Sequence, residues 1–526
     1  MTDNTLFPET YDVLISGFGP AGAVAAGMLG ARGHRVLVVD RLTDIYDKPR
    51  AIAIDHEILR HFDNMGIAEE VMPFIAPFTA SEHYGAQGQL IRHIDMVPPP
   101  YPLGYTPSMV FTQPPVEAVM RRHADSFDNV TIELGTELTA FDAGTERVTV
   151  TLKTAEGATR NVAARYLIGC DGASSRVREL AGITLEDLVF DEPWLVIDVK
   201  VHEEALERLP QSSAQYCDPS RPASYVMGPG NHRRWEIMLL PGEDPRVMTE
   251  AENVWRLLSR WLTPDQGELW RAAAYRFHAL VADDWCKGRV VIAGDAAHQQ
   301  PPFIGQGMCQ GLRDVANLVW RLDRILKGAS SHALLDTYTV ERKKHVQTLT
   351  GRIKAIGQAI CERDPQAAAE RDARILVDGG GKPLRLTRQD IVPPLEDGLI
   401  AAEGVPARGL LFPQPAVLTE DGDQLLDRLT GPVWRLVLDA RHVTATDLAG
   451  HAPRFPDIDT RLIAPADAGT TDAAVLRERD GVLAAWFDRH GAIAAVVRPD
   501  HYVYGAASDL THIQDLLEAA CTAISA

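Results

Sequence analysis

The sequence predicts a mixed α/β protein whose first domain is a doubly wound parallel sheet, and three observations predict it. An apolar run, Val13–Ser16, passes through glycines at positions 17, 19 and 22 into a stretch of small residues, then into a second apolar run ending in Asp40. Two later buried-type runs, Tyr166–Cys170 and Arg289–Gly294, again deliver a carboxylate beside glycine, at Asp171 and Asp295. Beyond residue 395 a new pattern of alternating strand, turn and helix begins, which marks a separate module.

The chain of 526 residues is too long for one core and divides into two or three domains. Its 45% hydrophobic and 24% charged residues are those of an ordinary globular protein. A net charge of -20 argues against nucleic acid or an anionic membrane as the main partner. The six cysteines show neither C-x-x-C nor metal-ligand spacing and read as reduced thiols. The polar N-terminus reads as carrying no secretory signal, and the glycine-broken run Ala21–Ala31 is too short to span a membrane. A soluble cytoplasmic protein is expected.

In YDVLISGFGPAGAVAAGMLGARGHRVLVVDR, Gly17 permits a tight turn, Gly19 lets a pyrophosphate approach the backbone, and Gly22 lets the helix sit close to the strand. Pro20 and Ala21 open a helix whose N-terminal N–H groups and dipole favour phosphate. Asp40, followed by Arg41, can accept from a ribose hydroxyl. This is a Rossmann-like dinucleotide fingerprint, and by itself it does not separate FAD from NAD.

Further along, Ile58, Leu59, Phe62 and Met65 recur at helical spacing, and 76–104 is an irregular Pro- and Gly-rich excursion. Residues 130–155 alternate as antiparallel strands, while 194–201 and 233–240 read as long strands of a second sheet. Leu312, Ala316, Val319, Leu322 and Leu326 define one face of an amphipathic helix. Residues 362–395, with VDGGGKP and VPPLEDG, read as a linker. No G-x-S-x-G elbow or clustered metal ligands accompany these segments, so hydrolase and metal chemistry are not expected.

CDGASSRVRE (170–179) and GDAAHQQPPFIGQGMCQG (294–311) place acids at further strand ends, where a doubly wound sheet binds its ligands. At Gly305–Gly307 bare amides open a helix. Taken with G-x-G-x-x-G, these motifs resemble the single-component FAD-dependent aromatic hydroxylases, the group A flavoprotein monooxygenases, over residues 10 to about 350. PRAIAIDHEILR, FTQPPVEAVM, YCDPSRPASYV and RRWEIMLLPGE look most like the 3-(3-hydroxyphenyl)propionate hydroxylase branch. RPDHYVYG resembles the end of the phenol hydroxylase branch, whose extra domain is thioredoxin-like.

The resemblance implies a discontinuous FAD-binding domain (1–75, 105–185, 280–361), an inserted mixed-sheet substrate domain (76–104, 186–279), the linker, and a thioredoxin-like domain (396–526). The last lacks C-x-x-C and would serve structure or dimer contacts. FAD would be held by Gly17, Gly19, Pro20, Ala21, Gly22, Asp40 and Arg41, with Arg50 and Gln113 near its phosphates and ribityl chain. Arg50 also fits a surface ion pair, and Gln113 a helix cap. Asp171 would serve the FAD side and the approach of the nicotinamide nucleotide, and Asp295, after Gly294, the ribityl chain, with Pro302, Gly305, Gln306, Gly307 and Met308 along the ring.

The implied chemistry uses NADH or NADPH and O2 to hydroxylate a phenolic ring through a C4a-hydroperoxyflavin. Pocket candidates on the second sheet are Tyr216, Arg221, Tyr225, Trp235 and Met238, with Arg221 suited to a carboxylate. Asp55 and His56 would approach the flavin, and no catalytic base is assigned. The resemblance implies a homodimer in aromatic catabolism. Tailoring of a polyketide or antibiotic, or flavin binding without catalysis, remain alternatives.

Overall fold

The computed structural model describes residues 10–444, 446–447, 458–469 and 472–525; the polar N-terminal stretch lies almost wholly outside them. Strands 290–292, 159–169, 10–16, 36–40 and 130–134 lie side by side and parallel. Between 10–16 and 36–40 runs the helix Pro20–Gly30, whose residues from Gly22 to Gly30 are all buried. Val13, Leu14, Ile15, Val36, Leu37 and Val38 are fully buried, the continuous apolar pattern of a sheet covered on both faces. Strands 136–143 and 148–154 form an antiparallel meander that returns into 159–169. Only part of the 130–155 expectation therefore stands. Val130–Leu134 pairs parallel with Val36–Asp40, because the helix Gln113–Asp125 carries the chain back across the sheet.

A second, nine-stranded sheet runs in the order 298–299, 267–282, 185–201, 232–238, 223–227, 213–216, 81–84, 90–95, 384–387. Its last strand corrects one expectation. The segment 362–395 is not a bare linker, because Pro365–Asp378 is helical and Leu384–Thr387 pairs parallel with Leu90–Asp95. The alternation in LRLT suffices for an edge strand, and the flanking glycines only turn the chain into it.

The C-terminal module is a seven-stranded mixed sheet with helices Val482–His490 and Leu510–Ser525. It packs on the long helix Gly307–Leu326, where Trp320 meets Trp434 edge-on with ring centroids 5.7 Å apart. That helix has no solvent face along most of its length. Cys309 through Leu322 are all buried, the charged residues among them included. The amphipathic expectation located the apolar side correctly, and the opposite side is covered by ion pairs. Arg321 donates to Glu341, while Arg498 donates to Glu341 and Asp500. Arg60 likewise meets Asp427 of the C-terminal module at 2.6 Å, and Arg435 shares the same carboxylate.

Among the described residues, no helix is long and apolar enough to cross a membrane.

Candidate active site

The carboxyl ends of the parallel strands and one face of the nine-stranded sheet enclose a cavity of about 610 Å³, of the size that holds small organic ligands. Ser16, Gly17, Asp40, Cys170, Asp171, Ala293 and Gly294 line it, each at or just past a strand end. Gly17 has φ +100°, and a Cβ there would sit 2.3 Å from the Cys170 carbonyl oxygen. A Cβ on Gly22 would sit 1.9 Å from the Gly17 carbonyl oxygen, so Gly22 sets helix–strand packing and does not line the cavity. Gly19 differs: nothing lies within 4 Å of where its Cβ would be, and the residue faces the cavity.

Of the seventeen residues expected to hold FAD, all but Gly22 and Gln306 line this cavity. Their side chains divide into those open to a ligand and those committed to the protein. Asp40 accepts from the backbone N–H of Phe18 at 2.7 Å and Leu42 at 2.8 Å. Asp171 accepts from Ser175 and from the N–H groups of Arg176 and Val177, which fixes the start of the helix Arg176–Leu180. Gln113 accepts from the Ala51 N–H at 2.7 Å and donates to Glu117 at 3.0 Å, so it clamps the 50–51 backbone. Arg50 stays half exposed, its guanidinium 3.9 Å from Glu117. Asp295 opens into the cavity, and the protein packed around its other sides pushes its carboxyl above the ordinary range, opposed by His298 and Arg50.

The loop after Asp295 is held from behind by residues that sequence reasoning missed. Asp314 accepts from the Gly294 N–H at 3.0 Å and bonds His298 at 2.8 Å, while Arg342 donates to its other oxygen at 2.9 Å. Gln306 turns away from the cavity and donates to Asp55 at 3.1 Å. Arg313 ties Gln306, Asp55 and Glu57 together, and Tyr502 of the C-terminal module donates to Glu57 at 3.1 Å. Burial alone would raise the Asp55 carboxyl, but Arg313 brings it below the ordinary range. Burial lowers His56 to about 4, so it is neutral. A charged R-D pair inside the apolar run GLRDVANLVW is the signal that could have marked these supports.

The five substrate candidates lie elsewhere. None of Tyr216, Arg221, Tyr225, Trp235 and Met238 lines the cavity. Tyr216, Tyr225 and Trp235 pack on the opposite side of the sheet with Trp261. Arg221 is paired with Glu243 at 2.7 Å, and Met238 is buried in an apolar cluster with Trp194, Phe277 and Phe303. The cavity face instead carries Ser213, Gln215, Val226, Arg234 and Glu236. Strand side chains alternate, so choosing Trp235 over its neighbours selected the wrong face.

Arg234 has four of its five N–H donors committed. It donates to Asp198 at 2.7 Å and to the Arg50 and Pro49 carbonyls at 2.7 and 3.0 Å. Glu236 beside it receives no hydrogen bond from the described residues, and burial pushes its carboxyl up to about 7. Phe78, Phe277, Phe303 and Ile304 complete an apolar wall, with Arg388 set into it.

The cavity thus joins two helix starts, at Pro20 and Gly307, to an aromatic chamber with a few placed polar groups. The open side of Gly19, the bare backbone at Gly305 and Gly307 and the cavity-facing Asp295 fit FAD. Fold and site define a flavin-dependent monooxygenase of the single-component class. Residues 10–352 match the FAD binding domain family, and residues 409–522 match the HcaD C-terminal domain family. The chain is 34% identical to a probable NADH-specific resorcinol 4-hydroxylase of Rhodococcus jostii, over 98% of this chain and 96% of that protein. It is 32% identical to a 3-(3-hydroxy-phenyl)propionate/3-hydroxycinnamic acid hydroxylase of Mycolicibacterium gilvum, over 96% and 90%. The fold matches the crystal structure of the flavin-dependent monooxygenase PieE with a TM-score of 0.78 at 20% identity, covering 98% of this chain and 99% of that one. The chain belongs to the FAD-dependent aromatic hydroxylase family, and it uses FAD with NADH or NADPH.

Proposed function

We propose that this monooxygenase hydroxylates a small phenol of the resorcinol or 3-hydroxyphenyl-carboxylate type in the breakdown of aromatic compounds. The observation that carries the reading is the aromatic chamber at the end of the FAD cleft, walled by Phe78, Phe277 and Phe303 and supplied with few polar groups. The two hydroxylase relatives, similar over nearly the whole chain, support the same class. FAD, when bound, supplies hydride acceptance and dioxygen activation.

The residues of this chain bind and orient. The helix start at Pro20 and the cavity-facing Gly17 and Gly19 would hold the pyrophosphate, with Asp40 and Arg41 on the adenosine side. Arg50, Asp171 and Asp295 would meet the central part of the cofactor. The N-terminus of the helix Gly307–Leu326, which opens on the cavity, would favour negative charge on the cofactor ring. Pro302, Phe303 and Ile304 form a stiff apolar wall that keeps water out. Glu236 holds or releases a proton at its carboxyl oxygens near neutral pH, which suits exchange with a substrate hydroxyl.

The reading extends to a cytoplasmic homodimer, checked by sedimentation of the holoenzyme. The function itself is tested with FAD-loaded protein, NADH or NADPH, and a panel containing resorcinol and 3-(3-hydroxyphenyl)propionate. The expected result is phenol-stimulated oxidation of the nicotinamide and a product heavier by one oxygen atom. A flavin-loaded protein that no phenol stimulates refutes it.

A further inference from the structure

Among the described residues Arg388 is a buried arginine of the cavity wall that no carboxylate pairs. Eleven arginines are buried among the described residues. Nine of them lie within 4.0 Å of a carboxylate. A tenth, Arg233, donates to the carbonyls of Gly228, Gly230 and His232. Arg388 is 5% exposed and, among the described residues, has no carboxylate within that distance and makes a single hydrogen bond, to the Ile304 carbonyl. A guanidinium has five N–H donors, so most of its donor capacity is unused. Its carbon sits 4.8 Å over the Phe78 ring, a favourable contact that supplies no anion.

The position is as informative as the missing partner. Arg388 follows the edge strand Leu384–Thr387 of the second sheet and lines the cavity with Phe78, Phe303, Ile304 and Gly305. A Cβ on Gly305 would lie 3.7 Å from its Nη2, which places it beside the loop that opens the helix Gly307–Leu326. Burial pulls its pKa down to about 10, opposed only by Cys309 and Asp55, yet the group remains a cation at neutral pH. An uncompensated buried cation is costly to keep. A donor array facing a ligand chamber gives it a use, because planar guanidinium N–H groups match an anionic oxygen. Negative charge on a bound flavin ring would be met by the amides at the helix start, which leaves the substrate as the partner for Arg388.

We propose that Arg388 binds the anionic oxygen of the aromatic substrate, a ring phenolate or a side-chain carboxylate, and anchors the ring against Phe78 and Phe303. The proposal rests on the phenol-hydroxylase reading and adds to it the residue that fixes ring orientation. It moves the anionic subsite from Arg221, which is occupied by Glu243, to a segment the sequence marks as a linker.

The test compares R388M and R388K with wild-type holoenzyme. Binding of resorcinol and of 3-(3-hydroxyphenyl)propionate is followed by flavin absorbance changes across pH, with FAD content as the control for folding. Loss of a charge-assisted pair should weaken binding by about tenfold to a hundredfold in R388M, with part of the affinity restored in R388K. A loss for both ligands, together with loss of the tightening seen as the phenol ionises, identifies the phenolate. A loss confined to the propionate identifies the carboxylate. Equal affinities in R388M and wild type, or an altered flavin content with unchanged substrate binding, overturn the proposal while leaving the hydroxylase reading intact. Wild-type holoenzyme that binds neither ligand and oxidises no NAD(P)H with any phenol overturns both.

Discussion

Replacing Glu236 with glutamine should change how stability depends on pH. Glu236 is buried on the cavity face, no described residue donates to it, and Arg234 beside it points its bonds at Asp198 and two carbonyls. Its carboxyl titrates near 7 in the native protein against an ordinary value of 4.5. The native state therefore binds more protons than the unfolded chain across that interval. Stability falls as pH rises from the unfolded value toward the native one and is level above it. At about 1.4 kcal/mol per pH unit, the whole interval corresponds to about 3 kcal/mol. E236Q keeps the shape and removes the titration, and every other group cancels in the comparison. Urea unfolding of ligand-free wild type and E236Q at about pH 5 and about pH 8 should show the variant gaining about 2 to 3 kcal/mol relative to wild type. Two curves that stay parallel across that range would refute the reasoning, because Glu236 would then titrate alike in the folded and unfolded states.

Three further outcomes follow from the geometry. G19A should fold normally yet lose FAD, since its methyl projects into open cavity, whereas G17A should lose stability outright through its +100° φ and the Cys170 carbonyl; FAD content and thermal midpoint separate the two. D171A removes the acceptor for two N–H groups at the start of the helix Arg176–Leu180 and should cost about 1 kcal/mol in urea unfolding. Y502F breaks the hydrogen bond to buried Glu57 and should cost about 1 to 3 kcal/mol; a change below a few tenths would show that the C-terminal module does not brace the Gln306–Arg313 support.

The cofactor half of the site was legible because its signals are local. A glycine turn, an acid at a strand end and a helix start each occupy a few consecutive residues, and the sheet brings them to one edge. The substrate half depends on which face each strand turns inward. In HRRWEIM all seven residues are buried, so the usual alternation of apolar and polar positions is missing and Trp235 could not be separated from Arg234 and Glu236. Arg388 escaped for a different reason. Glycines and prolines on either side hid a four-residue edge strand, and its cavity neighbours Phe78 and Ile304 are distant in sequence. The supports at Asp314 and Arg313 were hidden by pairing at long range. Their partners lie on other elements, and the Glu57 that Arg313 holds reaches Tyr502 across 445 residues.

The segment Arg498–Tyr502 gives this long-range pairing a temporal meaning. The helix Gly307–Leu326 carries its charged side inward, and Glu341 on the neighbouring helix is fully buried against Arg498. During synthesis those charges exist well before residues 498–502 emerge, so the helix cannot reach its final dry environment until the last part of the chain arrives. The cofactor loop at Gly305–Gln306 hangs from that same helix through Arg313. A chain shortened before residue 498 would keep every glycine of the cofactor fingerprint and lose Arg498 against Glu341 and Tyr502 against Glu57, so the brace behind the Gly305–Gln306 loop is complete only once the far end of the chain is in place.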